Sequence, residues 1–348
     1  MFGNSIAAWG DTVAVGATGE SSAATGVNGD ATNTGALDAG AVFVFRRTGG
    51  VWAQEAYLKA SNTKPLVGAQ FGRSIALFGD TLVVGAPYEA SGTSSPNDTS
   101  ANGAGAAYVF TRTGTTWTQQ AYLKASTPQA SAFFGVALAL SGDTLAIGAT
   151  HERLASIVDA GAVHIYTRTS GVWTEQGSAL RAGNPTANEH FGTSVSVSGD
   201  AVAVGGPDHS EPGVLGCGAA WIFTRSGTAW SQPTQILASN ARAAAHFGFS
   251  IAVSGNTVAV GSTEESSGVI GDPKDVSAGS AGAVYVFSRA GAAWAQTAYL
   301  KASKPRFFGR SVALAKDVVA VGSVGESSGI TGNQTDTSQP NAGAAYVF

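Results

Sequence analysis

Cysteine is almost missing from this chain of 348 residues: the single Cys217 excludes an intramolecular disulfide and a cysteine-only metal site. Charge is scarce too, at 12% Asp, Glu, Lys and Arg with a net of -4, and no basic cluster stands anywhere that could hold a phosphate backbone. Nucleic acid is therefore not an expected partner. Helix-favouring runs rich in Leu, Glu and Lys do not occur, and no apolar run reaches the roughly 18 to 20 residues that would span a bilayer. No charged start followed by an apolar stretch precedes Phe2. What remains in abundance is Gly, Ala, Ser, Thr and Val, the composition of many short strands punctuated by tight turns.

These residues are not scattered. "FGRSIALFGDTLVVGAP", Phe71 to Pro87, has counterparts beginning at Phe2, Phe134, Phe191, Phe247 and Phe308. Each copy is a Phe-Gly, an alternating segment, a tight turn and a Val-rich segment ending in Gly. A third apolar segment follows after a variable loop ("GAVFVFRR", "GAAYVFTR", "GAVHIYTR", "GAAWIFTR", "GAVYVFSR", "GAAYVF"), and in five copies a fourth, as in "WTQQAYLKAS" from Trp117. Segments of five to eight such residues bounded by Gly, Asp, Ser and Thr read as strands, and Gly-Asp tolerates the positive φ of a two-residue hairpin turn. Each unit is thus a four-stranded antiparallel meander.

One meander cannot bury two apolar faces alone, but neighbours stacked about an axis can. The expectation is an all-β chain, a single β-propeller domain over 1–348 with units at about 2–70, 71–133, 134–190, 191–246, 247–307 and 308–348. A β-solenoid is the alternative architecture. The last unit lacks its outer strand, which suggests a fragment of a longer chain with six blades visible and up to seven in the whole.

The Phe-Gly and Gly-Ala-Pro pair at Phe71-Gly72 and Gly85-Ala86-Pro87 resembles the FG-GAP repeat of integrin α-chain propellers and their secreted bacterial relatives. The resemblance implies an extracellular or cell-surface setting, other domains in a larger polypeptide, and a ligand-facing side formed by the loops between second and third strands. Many relatives hold Ca2+ between the first two strands. Here that connection has shrunk to "FGDT", "SGDT", "SGNT" or "AKDV", and one carboxylate on a two-residue turn cannot wrap six to eight oxygens around an ion. No cofactor is expected with assurance, and Asp11, Asp80, Asp143, Asp200 and Asp317 are read as turn residues bonding their own backbone.

Functional residues are sought on the long loops. Four residues after the repeating Gly stand Glu20, Glu89, Glu152, His209, Glu265 and Glu326, which either tie down their own loops or form a ring that binds a cation or polyol. With His151 they are the ligand-binding candidates. Asp30, Asp38, Asp98, Asp159, Asp272, Asp275 and Asp336 are weak metal candidates, since none fits a regular calcium loop. His190 and His246 are read as packing or strand-entry residues, His164 as a rim aromatic substitute within a third strand, Trp52, Trp117, Trp173, Trp230 and Trp294 as interblade packing, and Arg112, Arg168, Arg225 and Arg289 as solvated strand-end charges. The favoured function is a non-catalytic adhesion or binding module for a protein or glycan ligand. The alternatives are a polysaccharide lyase or hydrolase using His151, Glu152 and His209 as acid and base, and a structural spacer.

Overall fold

The computed structural model describes residues 2–64, 68–269, 271–291, 293–302, 306–316, 318–328, 336 and 338–348. The chain is all-β, with the antiparallel blades of a β-propeller and no helix among the described residues. Two compact units divide it, Met1–Leu180 and Arg181–Phe348.

The first unit holds three blades. They are β1 to β4 (Ile6–Trp9, Thr12–Ala17, Ala41–Thr48, Val51–Leu58), β5 to β8 (Ser74–Phe78, Thr81–Ala86, Ala106–Thr113, Thr116–Leu123) and β9 to β12 (Ala137–Ser141, Thr144–Ala149, Ala162–Thr169, Val172–Glu175). Each pairs in sequence order. The second unit holds β13 to β17 (Ser194–Ser198, Ala201–Gly206, Ala219–Ser226, Ala229–Trp230, Thr234–Ile236), β18 to β21 (Phe247–Ser254, Thr257–Ser262, Ala283–Ala290, Ala293–Leu300) and β22 to β24 (Phe308–Ala315, Val318–Ser323, Ala344–Val347). The outer strand of the fourth blade is split into β16 and β17 around Pro233, which has no N–H to give a ladder. The sixth blade shows three strands among the described residues.

The repeated motif builds the core directly. Phe71, Phe134, Phe191, Phe247 and Phe308 are fully buried or nearly so, each edge-on or tilted against two third-strand rings of its own blade, as Phe71 is against Tyr108 and Phe110. The Gly that closes the second strand is demanded by the next blade: a β-carbon built on Gly85 would overlap the carbonyl oxygen of Gly135. That same oxygen accepts a hydrogen bond from Ser74 Oγ at 2.7 Å. Ser5, Ser194 and Ser250 make the same bond to Gly72, Gly248 and Gly309, so one Ser-Gly bridge recurs at blade junctions within each unit.

On the short-turn face, the strand-end charges are not simply solvated. Asp11, Asp80, Asp143 and Asp200 reach across to Arg47, Arg112, Arg168 and Arg225 rather than to their own backbone, with Nε to Oδ1 distances of 2.6 to 3.0 Å. Each guanidinium lies over a Trp, 5.1 to 5.6 Å from the ring centre. Arg112 also binds Thr12 and Glu55 of the preceding blade, and Trp117 Nε1 donates to the same Glu55. A β-bulge puts Glu55 there: the ladder passes from Val44↔Ala56 to Phe45↔Gln54 and leaves Glu55 unpaired and re-aimed. Arg289, whose turn carries Asn256 instead of Asp, turns to the carbonyl of Gly291. Asp317 lies outside the described residues.

Candidate binding site on the long-loop face

The repeated loop carboxylates go inward. Glu89 is 3% exposed and meets Lys124 Nζ at 3.0 Å, the amide of Ser91 and the side chain of Asn62. Glu265 repeats this with Lys301 at 2.7 Å, Ser267 and Asn240, and Glu20 with Lys59 at 2.7 Å and Ser22. Lys59, Lys124 and Lys301 come from the "YLKA" end of the fourth strand, a position whose role the sequence reading left unassigned. Burial pulls all three ammonium groups below their ordinary value, and the paired carboxylate opposes it. For Glu20 burial acts upward, but the bonds from Lys59 and Ser22 outweigh it and hold the carboxyl below its usual range.

Where the lysine is missing, the pair is rebuilt from other residues. In the third blade Glu152 meets His164 Nε2 at 2.7 Å. His164 is 3% exposed, packed on Phe134, an interior cation and not a rim aromatic. In the fourth blade the signs are exchanged: His209 stands at the Glu position and faces Glu189 at 3.3 Å and Glu211 at 3.1 Å. Glu326 in the sixth blade accepts from the amide of Ser328. The weaker metal candidates mostly fold onto their own loops. Asp98 accepts from Gly92 and Ser100, Asp275 from Gly268 and Ser277, Asp30 from Thr32, Asp272 from Lys274, and Asp336 from Ser338. Asp38 and Asp159 occupy left-handed backbone at φ 52° and 51°.

A different set of side chains lines the face, drawn from two repeat positions that interleave. One position directly precedes Phe-Gly: Gln70, Phe133, His190, His246 and Phe307 all have φ between 52° and 55°. The other directly precedes the loop Glu or its substitute: Tyr88, His151, Asp208 and Glu264. Backbone bonds hold the two together, Tyr88 N to Ala69 O, His151 N to Ala132 O and Glu264 N to Ala245 O, at 3.3 to 3.4 Å.

In the first unit this arc is aromatic. Tyr88, 40% exposed, lies 5.0 Å from the ring of Phe133, which lies 4.8 Å from His151. Thr150 Oγ1 is 2.9 Å from Nδ1 of His151. In the second unit the same two repeat positions carry polar side chains at His190, Asp208, His246 and Glu264. Asp208 is bracketed by His190 Nδ1 at 2.6 Å and His246 Nε2 at 3.3 Å, all three partly open to solvent. Bonds from His190 and His246 hold the Asp208 carboxyl far below the usual carboxylate range, and the bond to Asp208 lifts His246 above its ordinary value. His190 and His246 are thus presented with a carboxylate, where the sequence suggested packing. Tyr88 was missed because nothing marks it until the fold sets it beside Phe133.

The chain belongs to the FG-GAP repeat family, which it matches over residues 52–110, 117–166, 173–223, 230–287 and 294–348. No curated protein matches it. Among solved structures it is similar to a candidate 6-phosphogluconolactonase from Bacteroides uniformis, with a TM-score of 0.57 at 11% identity, over 99% of this chain and 88% of that one. At that identity the likeness is one of fold.

Proposed function

We propose that this chain is a non-catalytic binding module of an extracellular or cell-surface protein, taking a protein or glycan ligand along the arc that runs through Tyr88, Phe133 and His151. One observation carries the reading. Left-handed backbone at the position before Phe-Gly favours Gly or Asn, yet here it bears Gln70, Phe133, His190, His246 and Phe307. The same backbone is kept while the side chain changes from blade to blade, so the fold itself does not dictate these side chains. Strained residues of this kind cluster at ligand sites, and partly exposed aromatic rings in a row supply broad contact area at low entropic cost.

A chain of imidazole and carboxylate groups could also serve acid–base chemistry, so the test separates the two. The protein is screened on an immobilised glycan and surface-protein panel, with product analysis of each polysaccharide, alongside Tyr88→Ala and His151→Ala. Binding without product formation, weakened about tenfold or more by either substitution, is the expected result. Turnover of a polysaccharide, or binding indifferent to both substitutions, overturns the reading.

A further inference from the structure

Two blades add an asparagine to the buried lysine and glutamate. Asn62, from the segment that enters the second blade, donates from Nδ2 to Glu89 Oε1 at 3.1 Å, while Lys124 Nζ donates to Glu89 Oε2 at 3.0 Å. The hydroxyl of Tyr108 donates to Asn62 Oδ1 at 2.5 Å. In the fifth blade Asn240 Nδ2 donates to Glu265 Oε1 at 3.2 Å, Lys301 Nζ to Oε2 at 2.7 Å, and the hydroxyl of Tyr285 to Asn240 Oδ1 at 2.6 Å. An amine and an amide nitrogen thus share the two oxygens of one carboxylate, and a hydroxyl sits on the amide oxygen, in both places. The third blade, whose Glu152 pairs with His164 instead of a lysine, carries Thr127 where these two have asparagine.

The surroundings suit a nucleophile. The lysine and glutamate side chains of both sets are almost entirely shielded from solvent, and so are Tyr108 and Tyr285. Burial draws Lys124 and Lys301 toward the neutral amine, the form that can attack a carbonyl carbon. Burial also holds the Tyr108 hydroxyl well above its ordinary value, so it stays a donor. A cavity of about 10 Å³ borders Asn62, Glu89 and Tyr108, close to the room that one water-sized molecule needs.

We propose that each set is the reactant of a condensation that joins lysine to asparagine through an isopeptide bond, Lys124 to Asn62 and Lys301 to Asn240. Glu89 takes a proton from Lys124 and frees the Nζ lone pair, which attacks Cγ of Asn62. Tyr108 stabilises the negative charge that develops on Oδ1. As the tetrahedral centre collapses, the Cγ–Nδ2 bond breaks and its electron pair leaves with Nδ2. The two protons lost by Nζ pass through Glu89 to that nitrogen, so ammonium departs and the carboxylate is restored. Glu265 and Tyr285 act in the same way on Lys301 and Asn240. No other reactant is consumed, and the exclusion of water protects the product from hydrolysis. Each bond fastens the segment entering a blade to the end of that blade's outer strand, which restricts the unfolded chain as a cross-link does.

The whole chain is purified, incubated at neutral pH, denatured and weighed by intact-mass spectrometry. Its mass is expected to fall short of the sequence mass by two ammonias, with tandem spectra of a digest placing the links between residues 62 and 124 and between 240 and 301. Lys124→Arg keeps a cation beside Glu89 but removes the nucleophile, and Glu89→Gln removes the base. Each is expected to fall short of its own sequence mass by one ammonia and to keep only the second link, with circular dichroism reporting that the variant is folded. Should Glu89→Gln unfold, Lys124→Arg decides by itself. A wild type of full sequence mass overturns the proposal and leaves Asn62 and Asn240 as loop tethers through their bonds to the carbonyls of Pro96 and Pro273. A Lys124→Arg or folded Glu89→Gln chain that still loses two ammonias overturns it too, and a link found in one blade alone overturns it for the other.

Discussion

Nε2 of His164 donates to Glu152 at 2.7 Å while Nδ1 of the same ring faces Glu175 at 2.6 Å. With a carboxylate at each nitrogen the imidazole carries both protons. Burial acts against that charge, but the two carboxylates prevail and push its pKa up to about 9. A folded-state value above the unfolded one of about 6.5 contributes stability that is complete below pH 6.5 and is lost as pH rises through 9. The gap corresponds to roughly 3 kcal/mol. Thermal unfolding of the wild type is therefore expected to fall between pH 7 and pH 10, and His164→Met is expected to be less stable at pH 7 but with a flatter profile. Parallel profiles would show that another group governs the alkaline loss.

The Glu89 and Lys124 pair is nearly dry, each side chain about 4% exposed. Removing one partner of such a pair leaves an uncompensated buried charge, at a cost of about 3 to 5 kcal/mol. Lys124→Met should lower urea stability by that order, and the double change Glu89→Leu with Lys124→Met should recover a good part of it. If the double variant is as unstable as the sum of the singles, the pair is not coupled.

Gly85→Ala tests the blade junction. The added methyl would overlap Gly135 O, a backbone atom that cannot swing away, and would crowd Ser74 Oγ. A loss of several kcal/mol, on the order expected for overpacking with a broken buried hydrogen bond, should appear as a large fall in the unfolding midpoint. Ser74→Ala alone, which removes only the hydrogen bond, is expected to cost about 1 to 2 kcal/mol. A Gly85→Ala protein as stable as wild type would mean that the blades slide to make room.

Phe-Gly, the Gly-Asp turns and the third-strand "YVF" were legible because each is a local rule repeated at one spacing, and repetition distinguishes a rule from an accident. The Asp-to-Arg clamp was not legible. Asp80 and Arg112 are 32 residues apart, and only the hairpin geometry shows that the turn carboxylate reaches the far strand. The arc was hidden for the same reason, since the strands β7 and β8 separate Tyr88 from Phe133 along the chain. Sequence reading found the repeating Glu because it recurs; that its companion is the lysine of "YLKA" follows only from the pairing of the third strand with the fourth.

Calcium gives a direct reading of the loops. Asp80 is engaged by Arg112, and Asp98 and Asp275 accept from amides and hydroxyls of their own loops. A ligand that binds only the native state raises its stability by mass action. Excess calcium or chelator is expected to leave the unfolding temperature unchanged within about a degree. A clear calcium-dependent rise would instead assign a cation to the loop acids and make Asp98→Asn and Asp275→Asn the next variants.

Phe133 offers the sharpest separation of fold from function. Its φ of 55° costs a bulky L-residue roughly 1 to 2 kcal/mol, which glycine would not incur. Against that relief stands the loss of ring contacts with Tyr88 and His151, of roughly 0.5 to 1.5 kcal/mol each beyond burial. These opposing effects are similar in size, so Phe133→Gly should change stability by no more than about 1 to 2 kcal/mol in either direction. Removing the middle ring of the aromatic row should at the same time weaken ligand binding by an order of magnitude or more. Chemical denaturation and a binding isotherm on the same preparation decide it. A variant that binds as well as wild type would move the ligand away from this arc, and one that loses binding only through unfolding would make Phe133 a packing residue.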